Sequence, residues 1–288
     1  MIAVLRHELS SHYTNLTGYV FGAFLLLFAG IYMMVYNLSY GLAYFEYVIS
    51  SMAFIFLIIV PILTMRSLAE EKRQKTDQLL YSLSLSMTQI VLGKYLAMLI
   101  VFMLPMLIVC FYPVLLAQFG SVPFQTSIGA IIAFLFLGAA LIAIGMFISS
   151  LTESQAVAAG VCFLVMLLNY YLADLSSYLA STALGSFITL TVVALLLALL
   201  TKHMTKNSLA AAGVMLVLEA GLLLLFTLDQ SIFEGLVPAI VQQLSLFERF
   251  YAFIDGVFDI TSLVYFVSVS AVFVFLSIQA MEKKRWSA

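Results

Sequence analysis

LAEEKRQKTDQLLYSLSLSMTQIVLGK, residues Leu68 to Lys94, gathers acidic and basic side chains in a chain of 288 residues of which only 9% are charged. On both sides the sequence turns apolar for long enough to cross a bilayer. A polar island between two such runs reads as a connection between membrane-spanning helices, and the rest of the chain fits that reading. Hydrophobic residues make up 64% of the sequence, whereas a soluble domain is about half apolar and a quarter charged. The excess has to face lipid.

A bilayer core of about 30 Å takes roughly 20 helical residues. Eight stretches have about that length: 17–36, 48–65, 91–117, 127–150, 156–173, 183–201, 208–228 and 262–281. None alternates in and out as a barrel strand does. The expectation is an all-α, polytopic membrane helix bundle of about eight spans, forming one transmembrane domain over 1–288. Residues 1–16 read as an interfacial helix with Leu5, Leu9 and Leu16 toward lipid and Arg6 near headgroups.

Charge placement orients the bundle. With eight spans and a cytoplasmic N-terminus, every Lys and Arg except Arg249 falls on the inner side. That asymmetry is the positive-inside rule, and it predicts that both termini are cytoplasmic. Ser86 with Gln89, and Thr152 with Gln155, have capping-box spacing ahead of the third and fifth spans. Pro61, Pro105 and Pro113 lie within spans and are expected to kink them. Gly18 with Gly22, and Ala156 with Gly160, have the small-residue spacing that lets helices approach closely in lipid.

Chemistry of several kinds is missing from the sequence. There is no P-loop pattern, no H-E-x-x-H and no G-x-S-x-G. His7, His12 and His203 are not spaced to share a metal, and Cys110 and Cys162 both lie in apolar runs. No basic stripe points to nucleic acid. The expectation is therefore a non-enzyme, with no catalytic residue, cofactor or metal of its own. Glu219 stands near the middle of the seventh span, where an ionisable residue is a functional hypothesis. Its alternatives are a carboxyl hydrogen-bonded to a neighbouring helix and the ion site of a secondary transporter. Residues 229–261 form an extracytoplasmic segment, too polar to span and too apolar for a free loop. There Phe247, Phe250, Tyr251 and Phe253 suit either short helices forming an external gate or an interfacial aromatic belt.

Within the opening stretch, Leu79, Leu80 and Leu83 would share one helical face. A short helix parallel to the membrane would offer charges to water and an apolar ridge to a partner. At this point the sequence resembles a known family. Met65 to Ala97, MRSLAEEKRQKTDQLLYSLSLSMTQIVLGKYLA, is similar to the connection between the second and third spans of ABC-2 type permeases. The nearest branch by resemblance is that of bacterial gliding-motility, sodium-efflux and copper-processing permeases. GMFISSLTESQAVAAG (Gly145 to Gly160) and SLFERFYAFIDGVFDITSLVYF (Ser245 to Phe266) resemble two further family segments in the same order. The resemblance implies that region 66–90 holds a coupling helix that seats in a separate ABC ATP-binding subunit, which would carry ATP and Mg. Glu70, Glu71, Lys72, Arg73 and Asp77 would make that docking contact, with Glu153 in the second cytoplasmic turn. It further implies one half of a dimeric exporter, paired with a second permease copy or a paralogue in a bacterial cell membrane. The family core has six spans, so the pair within 183–228, with Glu219, is surplus to it. A non-transporting membrane partner of an ABC-type ATPase is a further alternative.

Overall fold

The computed structural model describes residues 1–74, 86–179, 181–205 and 208–287. Among these residues the chain is helical throughout, with no strand. Leu79, Leu80, Leu83 and Asp77 lie outside the described residues.

The helices in chain order are α1 (Ile2–Thr14), α2 (Thr17–Met33), α3 (Glu46–Met52), α4 (Phe56–Thr64), α5 (Ala69–Arg73) and α6 (Met87–Val109). They continue with α7 (Tyr112–Leu116), α8 (Phe124–Leu151), α9 (Gln155–Tyr170), α10 (Leu172–Ser176), α11 (Ala183–Thr205) and α12 (Ser208–Leu228). The last three are α13 (Leu236–Leu244), α14 (Leu246–Ile254) and α15 (Ile260–Ser287). Among the described residues five stretches are long and apolar enough to cross a membrane: Thr17–Ser39, Glu46–Arg73, Met87–Leu116, Phe124–Leu151 and Ile260–Lys283. A sixth is possible if Ala212–Leu228 and Gln230–Leu244, bent by 117° at their junction, count as one span. The chain is a multi-pass helical membrane protein. The described helices give five or six spans by this measure, because the apolar parts of α9 and α11 are shorter.

Two compact units divide the chain: Met1–Tyr170 with Arg249–Ala288, and Tyr171–Glu248. In the first unit α8 is the most enclosed span and packs against α4, α6, α9 and α15. Lipid tails are as apolar as a leucine side chain, so these helices are held by close packing rather than by the hydrophobic effect. Gly138 shows how close. A Cβ there would lie 2.5 Å from the Phe102 ring and 3.0 Å from Phe56. The missing side chain admits an aromatic cluster in which Phe56 stacks on Phe134 at 4.4 Å and Phe102 meets Phe56 edge-on at 5.6 Å.

The local signals in the sequence map onto helix ends and joints. Ser86 Oγ accepts the Gln89 backbone N–H at 3.3 Å and caps α6. For α9 the cap falls two residues later than its sequence spacing predicts. Ser154, not Thr152, precedes the first turn, and its hydroxyl accepts from Val157 N at 3.5 Å. Pro61 and Pro105 sit inside α4 and α6, and Pro113 opens α7. Gly22 faces Pro105 across the α2–α6 contact, whereas Gly160 has no neighbour beyond its own helix. The α1 helix rests on α6. Leu5 and Leu9 are half-buried while Leu16 is exposed.

In the second unit α11 and α12 pair as a hairpin. Phe187, Phe226 and Phe233 cluster at one end of it, with centroids 4.9 to 6.2 Å apart.

Candidate functional site

The polar connection after α4 is tied to the bundle at several points. Leu68 and Ala69 donate their backbone N–H groups to Ser149 Oγ on α8, at 3.2 and 3.1 Å. That hydroxyl in turn reaches the Met65 carbonyl at 3.3 Å. These contacts satisfy N–H groups at the start of α5 that have no partner within the helix. Lys72 is 6% exposed and donates from Nζ to the Ser150 carbonyl. A single turn of α5 therefore sits on the end of α8 by backbone and side chain together.

Lys94 is the most buried charge of this end. It is 2% exposed, and its Nζ lies 2.6 Å from Glu71 Oε1 on α5 and 2.6 Å from Glu8 Oε1 on α1. Both are charge-assisted contacts at the short end of the range. Burial of charge costs free energy, so such a group holds geometry more than it adds stability. Removing one partner is expensive because a buried charge is left behind. His12 stands in the same electrostatic neighbourhood. Burial is the main influence holding it below its ordinary value of 6.5, with Glu8 opposing and Lys94 reinforcing.

The expected docking residues thus divide. Glu71 and Lys72 turn into the chain and anchor α5. Arg73 and Glu153 are exposed, and Glu70 is half-exposed, accepting from Gln74 Nε2 at 3.2 Å. Asp77 falls outside the described residues. Sequence reasoning counted Lys94 as one more inner-side charge and missed its role. It also missed Glu46, 6% exposed at the start of α3, which accepts from Ser127 Oγ at 3.2 Å and ties that helix to the first turn of α8.

Residues 229–261 hold a 3-10 turn (Gln230–Phe233) followed by α13 and α14. Phe247, Phe250 and Phe253 are buried. Tyr251 is half-exposed, with its hydroxyl 3.4 Å from that of Tyr170. Phe250 lies 6.1 Å from Phe134, which joins it to the aromatic cluster. A cavity of about 440 Å³ opens beside them, between the first turns of α8 and Phe253, Gly256 and Phe258. Arg249 stands 4.2 Å above the Tyr265 ring, a cation–π contact.

Glu219 on α12 is half-buried and accepts from Thr191 Oγ1 on α11 at 3.2 Å. Its hydrogen bond runs to the neighbouring helix. Among the described residues no group of three or more His, Cys, Asp or Glu side chains is placed to hold a metal ion.

The chain is thus a multi-pass helical protein whose polar connection after α4 is fastened to the ends of its spans. Residues 6–173, more than half of the chain, match the family described as ABC-2 family transporter protein. The chain belongs to this family, and is a membrane subunit of an ABC transporter. The matched region closes just past Tyr170, so the α11–α12 hairpin lies beyond it. The comparisons with curated proteins and with solved structures find no match to this chain.

Proposed function

We propose that this chain is the membrane-spanning half of a dimeric ABC exporter, driven by ATP hydrolysis on a separate ATP-binding subunit that carries ATP and Mg. One observation carries the reading: α5 is anchored at once to α8 through Ser149 and Ser150 and to α6 through Lys94. A push on the loop is then a push on the ends of the spans. Arg66, Glu70, Arg73 and Glu153 present the polar surface on which a partner would act. Glu71 and Lys72 transmit the force instead of receiving it.

In this reading both termini and the loop are cytoplasmic in a bacterial cell membrane, and eight segments cross it, with α9, α11 and α12 among them. The exposed Ala156–Gly160 seam supports a contact with a second permease copy or a paralogue. The gliding-motility, sodium-efflux and copper-processing branch remains the nearest by resemblance. Phe250, Tyr251 and Phe253, packed on the bundle, with Phe247 on the same helix, serve as the external gate.

Two experiments test the proposal. Reversing Glu70, Arg73 and Glu153 together should release the ATP-binding subunit during purification while the permease still inserts, because opposed charges fix docking. Undiminished co-purification of the triple variant would overturn the docking surface. Cysteines at Ser39, Ser121 and Glu234 should label from outside intact cells, and one at Gln74 should not. Labelling at Gln74 would overturn the orientation.

A further inference from the structure

We propose that Lys94 is a positioning residue through which α5 and α1 compete, so that displacing α5 tightens the hold of α1 on the third span. The proposal rests on the transporter reading for its purpose, but not for its physics. One ammonium faces two carboxylates, each at 2.6 Å, from segments far apart in sequence. Lys94 is 2% exposed, and the side chains of Glu8 and Glu71 are 16% and 21% exposed, so water screens the trio weakly. Two negative charges around one positive charge repel each other, and each weakens the other's pairing. When Glu71 leaves with α5, the repulsion on Glu8 goes with it, and Lys94 becomes a balanced partner for Glu8 alone.

The geometry around α1 lets that change travel. At its start, Val4 seats in a notch where a Cβ on Gly93 would be only 3.0 Å away. Its far end meets the first span at a stiff corner. Leu16 is left-handed there, at φ 61°, a conformation disfavoured for residues with a side chain. Tyr13 meets Tyr19 edge-on at 5.1 Å across the corner, and the backbone of Gly18 lies close beneath Tyr13 and His12. Motion of α1 is therefore motion at the entry to α2. A loop pushed by its partner would signal the first span through α1 as well as the spans it touches directly.

Hydrogen–deuterium exchange of backbone amides 2–14, measured on the full chain in lipid vesicles without ATP or any partner subunit, tests the latch. Glu71→Gln should slow exchange of α1 by about threefold or more, since removing the competing charge strengthens the remaining pair. Lys94→Met should speed it by at least about tenfold, because it leaves two half-buried carboxylates facing each other with no ammonium between them. Lys94→Arg should restore protection. In Glu71→Gln combined with Glu8→Gln the slowing should vanish. If Glu71→Gln leaves α1 exchange unchanged or speeds it, α5 merely props α1 and the latch is wrong. That arm decides the matter even if Lys94→Met does not fold. Because no ATPase takes part, such a failure would leave the transporter reading standing, and loss of the docking surface would leave the latch standing.

Discussion

The hydroxyl of Ser149 lies 3.1 Å from the backbone nitrogen of Ala69, and so one side chain of α8 holds the start of α5. Ser149→Ala removes the acceptor for two buried N–H groups, Leu68 and Ala69. Leaving such groups unsatisfied costs about 1–3 kcal/mol. The expected outcome is a lower thermal midpoint in detergent, together with faster proteolysis between Met65 and Gln74. An unchanged midpoint and cleavage rate would mean that water replaces the hydroxyl.

Gly138→Ala should damage the bundle from its centre. The added methyl falls within 2.5–2.6 Å of the Phe102 ring and 3.0 Å of Phe56, and the stacked Phe134 leaves little room for either ring to move. Overpacking of this kind costs about 1–3 kcal/mol. A companion Phe102→Leu should recover part of the loss in a thermal melt, and additive losses in the double variant would place the strain elsewhere.

How much of this was legible in the sequence can be argued from individual residues. Long apolar runs mark the spans, because a bilayer demands length and apolarity of each segment by itself. Ser86 marks the start of α6, because a cap is a local event. Lys94 was legible only as a charge, since its partners Glu8 and Glu71 are brought to it by folding. The spacing of Leu68, Ala69 and Lys72 carried a usable signal, as it places all three on one side of a helical turn. That side proved to be the buried one. Glu46 carried no comparable signal, because a carboxylate just outside an apolar run looks solvated until Ser127 arrives from another span. The cap of α9 was misplaced because Thr152 and Ser154 both carry side chains that can cap a helix, and only the backbone chooses between them.

Asp259 supplies a pH-dependent contact at the start of α15. It accepts from the backbone N–H groups of Thr261 and Ser262 and from the Ser262 hydroxyl at 2.6 Å. The Ser262 hydroxyl contributes most to lowering its pKa from 3.8 to about 2. A depressed folded-state pKa means that the stabilisation is complete above the unfolded value and is lost as pH falls through the folded one. Exchange at the first turn of α15 should therefore rise between about pH 4 and pH 2. In Asp259→Asn this rise should be absent, and a rise of equal size there would assign it to another group.

Glu219→Gln separates the ATP-driven reading from an ion-coupled one. Thr191 donates to Oε1 at 3.2 Å, and glutamine keeps a carbonyl acceptor at that place. Folding and ATP-dependent activity in vesicles should survive the change. An assembled protein that no longer transports would instead make Glu219 the ion site and the loop a topological device.

Tyr170 and Tyr251 bring together, at hydroxyl distance, the point where the chain leaves the first unit and the stretch where it has just returned at Arg249. Everything between is a long detour of the chain whose two ends lie side by side. The family match, residues 6–173, stops just past that exit. Closing a long detour costs little more than closing a short one, since the entropy grows only with the logarithm of length. Such a junction tolerates detours of many sizes. Replacing residues 171–248 by a few glycines should leave the aromatic cluster around Phe134 and Phe250 in place, since both rings belong to the first unit.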